Sequence, residues 1–285
     1  MRFFTGLHQP SDARHFDDAF VSVKRLRMRK SDFVVRDWIM DSGAFTEIRA
    51  HGAYRHSVAE YAREIRRWRV CGRMLAAVAQ DWMCEPHIVK RTLIADGLLP
   101  VPAGCERHGP ISDALLKALY LPEWQHAARV QVHQRRTIER YDALLEADTG
   151  AYILPVLQGF APEDYVAHVR LYGARLGPEQ WVGVGSVCKR NGTPAEVAVV
   201  LLAIKRERPD LRLHGFGLKT TALADPLVRS MLHSADSMAW CMDAWRAGRN
   251  SNDYREAKRW ALNITSRPVQ HLLDFLRVTA AGCPA

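Results

Sequence analysis

Short apolar runs that close on glycine, aspartate or serine recur along this chain, with amphipathic stretches between them. The runs are Arg2 to Gly6, Val34 to Met40, Leu75 to Gln80, Ile153 to Leu157, Trp181 to Val184, Leu211 to Phe216 and Ala235 to Met238. A run of this length between turn residues reads as a buried strand, and a helical stripe between two runs supplies the crossover that parallel strands need. The alternation predicts an α/β fold, a TIM-type (β/α)8 barrel. Seven strands are legible. The eighth is not, and no later segment supplies it, because the C-terminal third reads as helical.

Helix starts carry their own signals. Ser57 with Glu60, and Thr193 with Glu196, have the spacing of a capping box, in which each side chain bonds the other residue's amide. Pro162, Pro194 and Pro226 stand where a first helical residue needs no amide hydrogen. After Ser57, Val58, Tyr61, Ala62, Ile65 and Trp68 share one face, leaving Arg63, Arg66, Arg67 and Arg69 towards water.

Barrels of this kind run to about 250 residues as one unit, so the 285 residues read as a single domain, 1–285, with additions. One addition is an insertion at about 84–148, after the third legible strand, containing the Pro- and Gly-rich GLLPVPAGCERHGP and a long helical segment. The other is a helical C-terminal part at about 241–285. Neither an internal repeat nor a low-complexity tract is present.

Lys and Arg outnumber Asp and Glu by 40 to 31, a net charge of +9, which favours a polyanionic partner. The densest basic segments hold Lys24, Arg25 and Arg27, then Arg135 and Arg136, then Arg246 and Arg249. These are candidate nucleic-acid contacts, although a charge run is more often a solvated helix face. The six cysteines are scattered with no CxxC pair, as expected of reduced thiols in the cytoplasm. No signal-peptide core opens the chain and no stretch of about 18 apolar residues occurs, so a soluble protein without a membrane partner is expected.

In a barrel the reactive groups stand just after the strands. Those positions hold Asp41-Ser42-Gly43, Asp81, Gln158-Gly159, Gly183-Val184-Gly185-Ser186, Gly215-Phe216-Gly217 and Asp236-Ser237. Three are carboxylates. An unpaired buried carboxylate is costly, so their convergence implies ion-pair partners or a reason to tolerate charge.

These segments resemble a known family. WIMDSGAFTEI, AVAQDWMCEP, VLQGF, VGVGS, HGFG and ADSMAW occur in the order found in tRNA-guanine transglycosylases, from about residue 34 to residue 245. MDSGAF, QDWMCEP and DSMAW are most similar to the DpdA-type branch, which exchanges guanine in DNA for a 7-deazaguanine base. FFTGLHQP also looks like the start of such proteins and places His8 near the barrel mouth. The tRNA enzymes carry a CxCxxC-and-His zinc site after the nucleophile. Here only Cys241 and Cys283 follow, so no zinc subdomain is expected, and no cofactor is implied.

The resemblance implies that Asp236 attacks C1′ of the sugar as nucleophile and that Asp41 serves as general base for the incoming base. It also assigns Asp81 to the protons of the guanine-type edge, with Gln158 and the amides near Gly183, Val184 and Gly185 facing its carbonyl. Ser42, Gly159, Phe216 and His8 complete the expected binding set. The implied partners are DNA and a free 7-deazaguanine base such as preQ0, with a helper protein left open. The competing readings are a transglycosylase acting on tRNA, a non-catalytic nucleic-acid-binding subunit, and an unrelated phosphate-binding barrel using VGVGS and HGFG as phosphate loops.

Overall fold

A computed structural model describes residues 1–190 and 193–266. Its strands are β1 (Arg2–Gly6), β2 (Asp18–Ser22), β3 (Asp37–Asp41), β4 (Arg73–Val78), β5 (Ile153–Leu154), β6 (Val156–Leu157), β7 (Trp181–Val184), β8 (Arg212–Gly215) and β9 (Leu232–Ser237). Helices α1 (Val23–Leu26), α2 (Ala44–His51), α3 (Val58–Trp68), α4 (Pro86–Ala95), α5 (Asp113–Ala118) and α6 (Glu123–Glu146) fall before β5. Helices α7 (Pro162–Tyr172), α8 (Pro194–Glu207), α9 (Thr220–Ala224), α10 (Pro226–Met231), α11 (Ala239–Arg246) and α12 (Tyr254–Thr265) follow β6.

All strand pairs are parallel, in the order β5-β4-β3-β2-β1-β9-β8-β7-β6. The two ends of this order are one strand interrupted at Pro155. Ala77 and Ala79 amides donate to the Tyr152 and Leu154 carbonyls on one side, and Gly183 and Gly185 amides donate to Pro155 and Leu157 on the other. Ile153 to Leu157 therefore bridges β4 and β7 and brings the sheet round into a barrel. The missing eighth strand is β2. It lies early in the chain, and with it counted the helical insertion follows the fourth strand, not the third.

The interior is layered, because alternate residues of each strand point inwards. At the base, Arg2 bonds Asp18 and Asp37, and Arg73 bonds Asp37. Arg73, and then Arg2, hold the Asp37 carboxyl down to about 2 against the effect of its burial. Above this ring Phe4, Phe20, Trp181 and His214 meet across the barrel, and Phe20 stacks on His214 although their strands are not neighbours. The third layer, at the C-terminal ends, holds Ser22, Asp41, Phe216 and Asp236.

Outside the sheet, α3 buries Tyr61, Ala62, Ile65 and Trp68 and exposes its arginines, and its Ser57–Glu60 capping box is formed in both directions. Pro162, Pro194 and Pro226 each open a helix. Thr193 departs from expectation, because its side chain makes no cap bond and only its carbonyl meets the Glu196 amide. In the insertion, the fully buried Arg91 of α4 donates to the carbonyls of Ala50, Arg107 and Gly109 and so ties the intervening loop to the barrel.

Candidate functional site

Asp41 ends β3, with Ser22 of β2 as its register partner. Gly43 takes a φ of +77° to open α2, which turns its amide back onto the Asp41 carboxylate at 3.1 Å. The carboxylate lies deep in the fold but keeps part of its surface open, as on the floor of a cleft. Burial pushes it up to about 6 against a hydrogen bond from the Ser22 hydroxyl, and the charge of Asp236 adds to the rise.

Asp81 is buried just beyond β4. Burial drives it up to about 7, opposed by the amide of Gln158 and reinforced by the charges of Asp41 and Glu85. The Gln158 amide nitrogen donates to the Asp81 carboxylate, and its side-chain oxygen accepts from the Ser186 hydroxyl at 2.8 Å. The Gln158 backbone is held as firmly, since its N–H donates to His168 Nδ1 at 2.8 Å and its carbonyl accepts from Gln134 at 2.8 Å. Donation from the backbone amide leaves the His168 proton on Nε2, and burial pushes this imidazole down to about 3.

Asp236 lies near the end of β9 and is buried. One of its oxygens, Oδ1, takes two bonds, from His214 Nε2 at 3.2 Å and from the Gly217 amide at 3.1 Å.

The glycines of VGVGS serve side chains. A β-carbon on Gly183 would stand 2.3 Å from the Phe216 ring, and one on Gly185 would stand 2.1 Å from the Gln158 amide nitrogen. Their own amides are occupied by Pro155 and Leu157, so neither is left to meet a base carbonyl. Val184 is fully buried on the opposite face of β7. A β-carbon on Gly159 would collide with Asp164 and Tyr165 of α7, so that glycine seats a helix. Ser42 is also turned away from the barrel interior, with its hydroxyl 3.5 Å from that of Tyr54. Phe216 packs edge-on against His214 and lies in the space left by Gly183.

His8, beyond β1, is edge-on to Trp240 and within 3.3 Å of the Arg25 guanidinium, and burial together with that charge keeps its pKa low. Lys24, Arg25 and Arg135 are exposed. Arg27 faces Glu47 at 3.9 Å, Arg136 bonds Asp96, Arg246 stands 4.0 Å from Asp243, and Arg249 bonds Glu256. Among the described residues no group of three or more His, Cys, Asp or Glu side chains is placed to hold a metal, and no helix is long and apolar enough to cross a membrane. Cys71, Cys84, Cys105, Cys188 and Cys241 are free thiols, and Cys283 lies outside the described residues.

Sequence reasoning missed Ser22, Gln134, His168, His214 and Ser234, and it gave no role to Ser186, which it had placed at a strand end. His214 had a signal, the HGFG segment itself. The others are contacts between segments distant in sequence.

Fold and site together define a parallel β/α barrel with three interacting carboxylates at its C-terminal mouth. The model of the DpdA family, DeoxyPurine in DNA protein A, matches residues 1–97 and 125–276. The chain belongs to this family, which is a transglycosylase family. The unmatched segment 98–124 contains α5. No curated protein sequence matches the chain.

Proposed function

We propose that this protein exchanges guanine in DNA for a 7-deazaguanine base, by two displacements through a covalent aspartyl-sugar intermediate. The observation that carries this reading is the placement of three carboxylates at the C-terminal ends of barrel strands: Asp41 ends β3, the buried Asp81 lies just beyond β4, and the buried Asp236 lies near the end of β9. Membership of the DpdA family supports DNA as the polymer and a glycosyl transfer as the reaction.

In the first displacement an Asp236 oxygen bonds C1′ while the bond from C1′ to N9 breaks. The electron pair leaves with guanine, which takes the proton carried by Asp41. In the second, the incoming base surrenders its N9 proton to Asp41 and attacks C1′, and the pair of the C1′–O bond returns to Asp236. Two inversions leave the sugar with its original configuration. A carboxyl near 6 suits Asp41 to this exchange, because both of its protonation states are accessible near neutrality.

Asp81 in its ionised form accepts from N1–H and the exocyclic amine of the base, and Gln158 orients it. Taking a nucleotide out of a duplex costs a few kcal/mol, which phosphate contacts by exposed cations such as Lys24, Arg25 and Arg135 offset.

Incubation with labelled guanine and either duplex DNA or tRNA tests the reading. Label is expected in DNA. Label in tRNA alone would make the protein a tRNA-directed enzyme, and label in neither contradicts the proposal.

A further inference from the structure

A buried polar chain with one direction runs through the barrel interior to Asp236. The Trp181 indole N–H donates to the Ser234 hydroxyl at 2.8 Å, and that hydroxyl lies 2.9 Å from His214 Nδ1. His214 Nε2 in turn lies 3.2 Å from Asp236 Oδ1. An indole only donates and an ionised carboxylate only accepts, so Ser234 accepts at one end, Nε2 donates at the other, and in the neutral imidazole Nδ1 takes the serine's proton. The imidazole hydrogen is thereby placed on Nε2, pointing at the carboxylate. His214 is fully buried, and the rings of Phe4, Phe20, Trp181 and Phe216 lie 4.8 to 6.1 Å from its own, so its orientation is held by packing as well as by hydrogen bonds.

The Gly217 amide, turned inwards by a φ of +62°, gives Oδ1 its second donor. Among the described residues no donor reaches Oδ2. The two oxygens of one carboxylate are thus made unequal, one doubly bonded by donors and the other bearing its lone pairs.

We infer that His214 is a positioning residue that, with Gly217, selects Oδ2 of Asp236 as the attacking oxygen and holds Oδ1 as the carbonyl oxygen of the aspartyl-sugar ester. The inference rests on the proposed double displacement. When Oδ2 bonds C1′, Oδ1 keeps both donors. When the C1′–Oδ2 bond breaks, the pair returns to the carboxylate and spreads to Oδ1, where His214 and Gly217 meet the returning charge. Fixed donors aimed at developing charge in a dry site are worth about 10²-fold to 10³-fold in rate each. Their largest effect is expected on the second displacement, in which the carboxylate is the leaving group.

The test compares the parent chain with His214→Phe, His214→Gln and Ser234→Ala, using duplex DNA and labelled guanine. His214→Phe keeps an aromatic ring among aromatic rings and removes the donor. Its turnover is expected to fall about a hundredfold, with KM for DNA and for guanine little changed. The fraction of protein trapped as covalent adduct at steady state should rise, because breakdown slows more than formation. His214→Gln, which can present an amide N–H near the Nε2 position, should recover most of the loss. Ser234→Ala, which frees the imidazole hydrogen to move to Nδ1, should fall between. Nitrogen-15 spectra of histidine-labelled parent protein should show the Nε2–H form for His214 whether or not turnover is detected.

Parent activity with an unimpaired His214→Phe overturns this inference alone. A loss in His214→Phe without adduct accumulation, or one that His214→Gln shares in full, would mean that His214 only packs. An Nδ1–H form in the parent likewise overturns it. A parent chain that exchanges nothing removes the double displacement, and with it this assignment.

Discussion

Ser22 and Asp41 are register partners at the C-terminal ends of adjacent strands, and the serine hydroxyl donates to the carboxylate. That bond favours the ionised form against the burial that raises Asp41 to about 6. Ser22→Ala removes it, so the proton is held more tightly. Because Asp41 must carry a proton to meet the departing guanine, the basic limb of the first displacement is expected to move to higher pH by about half a unit to one unit. A pH–rate profile checks this, and an unmoved limb would dissociate Ser22 from the chemistry.

Asp81 makes the site destabilising in a defined pH window. Its folded value is about 7, above the roughly 4 of an unfolded aspartate. Between those two values the unfolded chain loses the proton while the folded chain keeps it, so this group's contribution to stability falls as pH rises from about 4 to about 7 and is level above. Asp81→Asn retains an acceptor for Gln158 and removes the penalty. Its stability advantage over the parent should grow across the window to roughly 2 to 4 kcal/mol at about pH 8. Thermal melts at about pH 5 and about pH 8 measure the difference; an advantage independent of pH contradicts the account.

Much of this architecture was legible in the chain, and the failures have separate physical causes. Asp18–Ser22 escaped notice because both of its ends are polar and the connection to it is a short 3-10 turn, Pro10–His15, in place of a crossover helix. Its polar ends are inward-facing groups of the barrel, Asp18 bonding Arg2 and Ser22 bonding Asp41. Ile153 to Leu157 was readable as one strand, although Pro155, which has no amide to give the ladder, divides it. Asp41, Asp81 and Asp236 stood out because strand ends are where a barrel keeps its chemistry. Gly183 and Gly185 stood out too, but their reason, room for Phe216 and Gln158, depends on side chains that only the folded barrel brings opposite them. His214 stood in the quoted HGFG segment, but its role depends on the contact with Asp236, which only the folded barrel makes.

Gly185→Ala should act through Gln158. The added methyl would stand 2.1 Å from the amide nitrogen and displace the group that donates to Asp81. Free-base affinity is expected to fall at least tenfold, about 1.4 kcal/mol. The same substitution in a Gln158→Ala background should add little, because coupled neighbours are not additive. Calorimetric titration of the four proteins closes the cycle, and full additivity would show that Gly185 serves something other than Gln158.

Base recognition and polymer binding should separate at Asp81. Asp81→Ala strands the donors of a guanine-type edge that has left water, so free-base binding should weaken severely. Affinity for duplex DNA and its dependence on salt should stay near the parent values, because the phosphate contacts lie elsewhere. Equal base binding by the variant would make Asp81 a structural acid.

In the proposed double displacement Asp236 carries the sugar between two bases. Its most direct measurement is mass spectrometry of the parent and Asp236→Asn proteins after incubation with DNA, with the attachment site mapped by peptide. A deoxyribosyl adduct is expected on Asp236 of the parent, with no adduct on Asp236→Asn and no transfer of labelled guanine by that variant although it folds and binds DNA. An adduct on another residue, or normal exchange by Asp236→Asn, would contradict this role for Asp236.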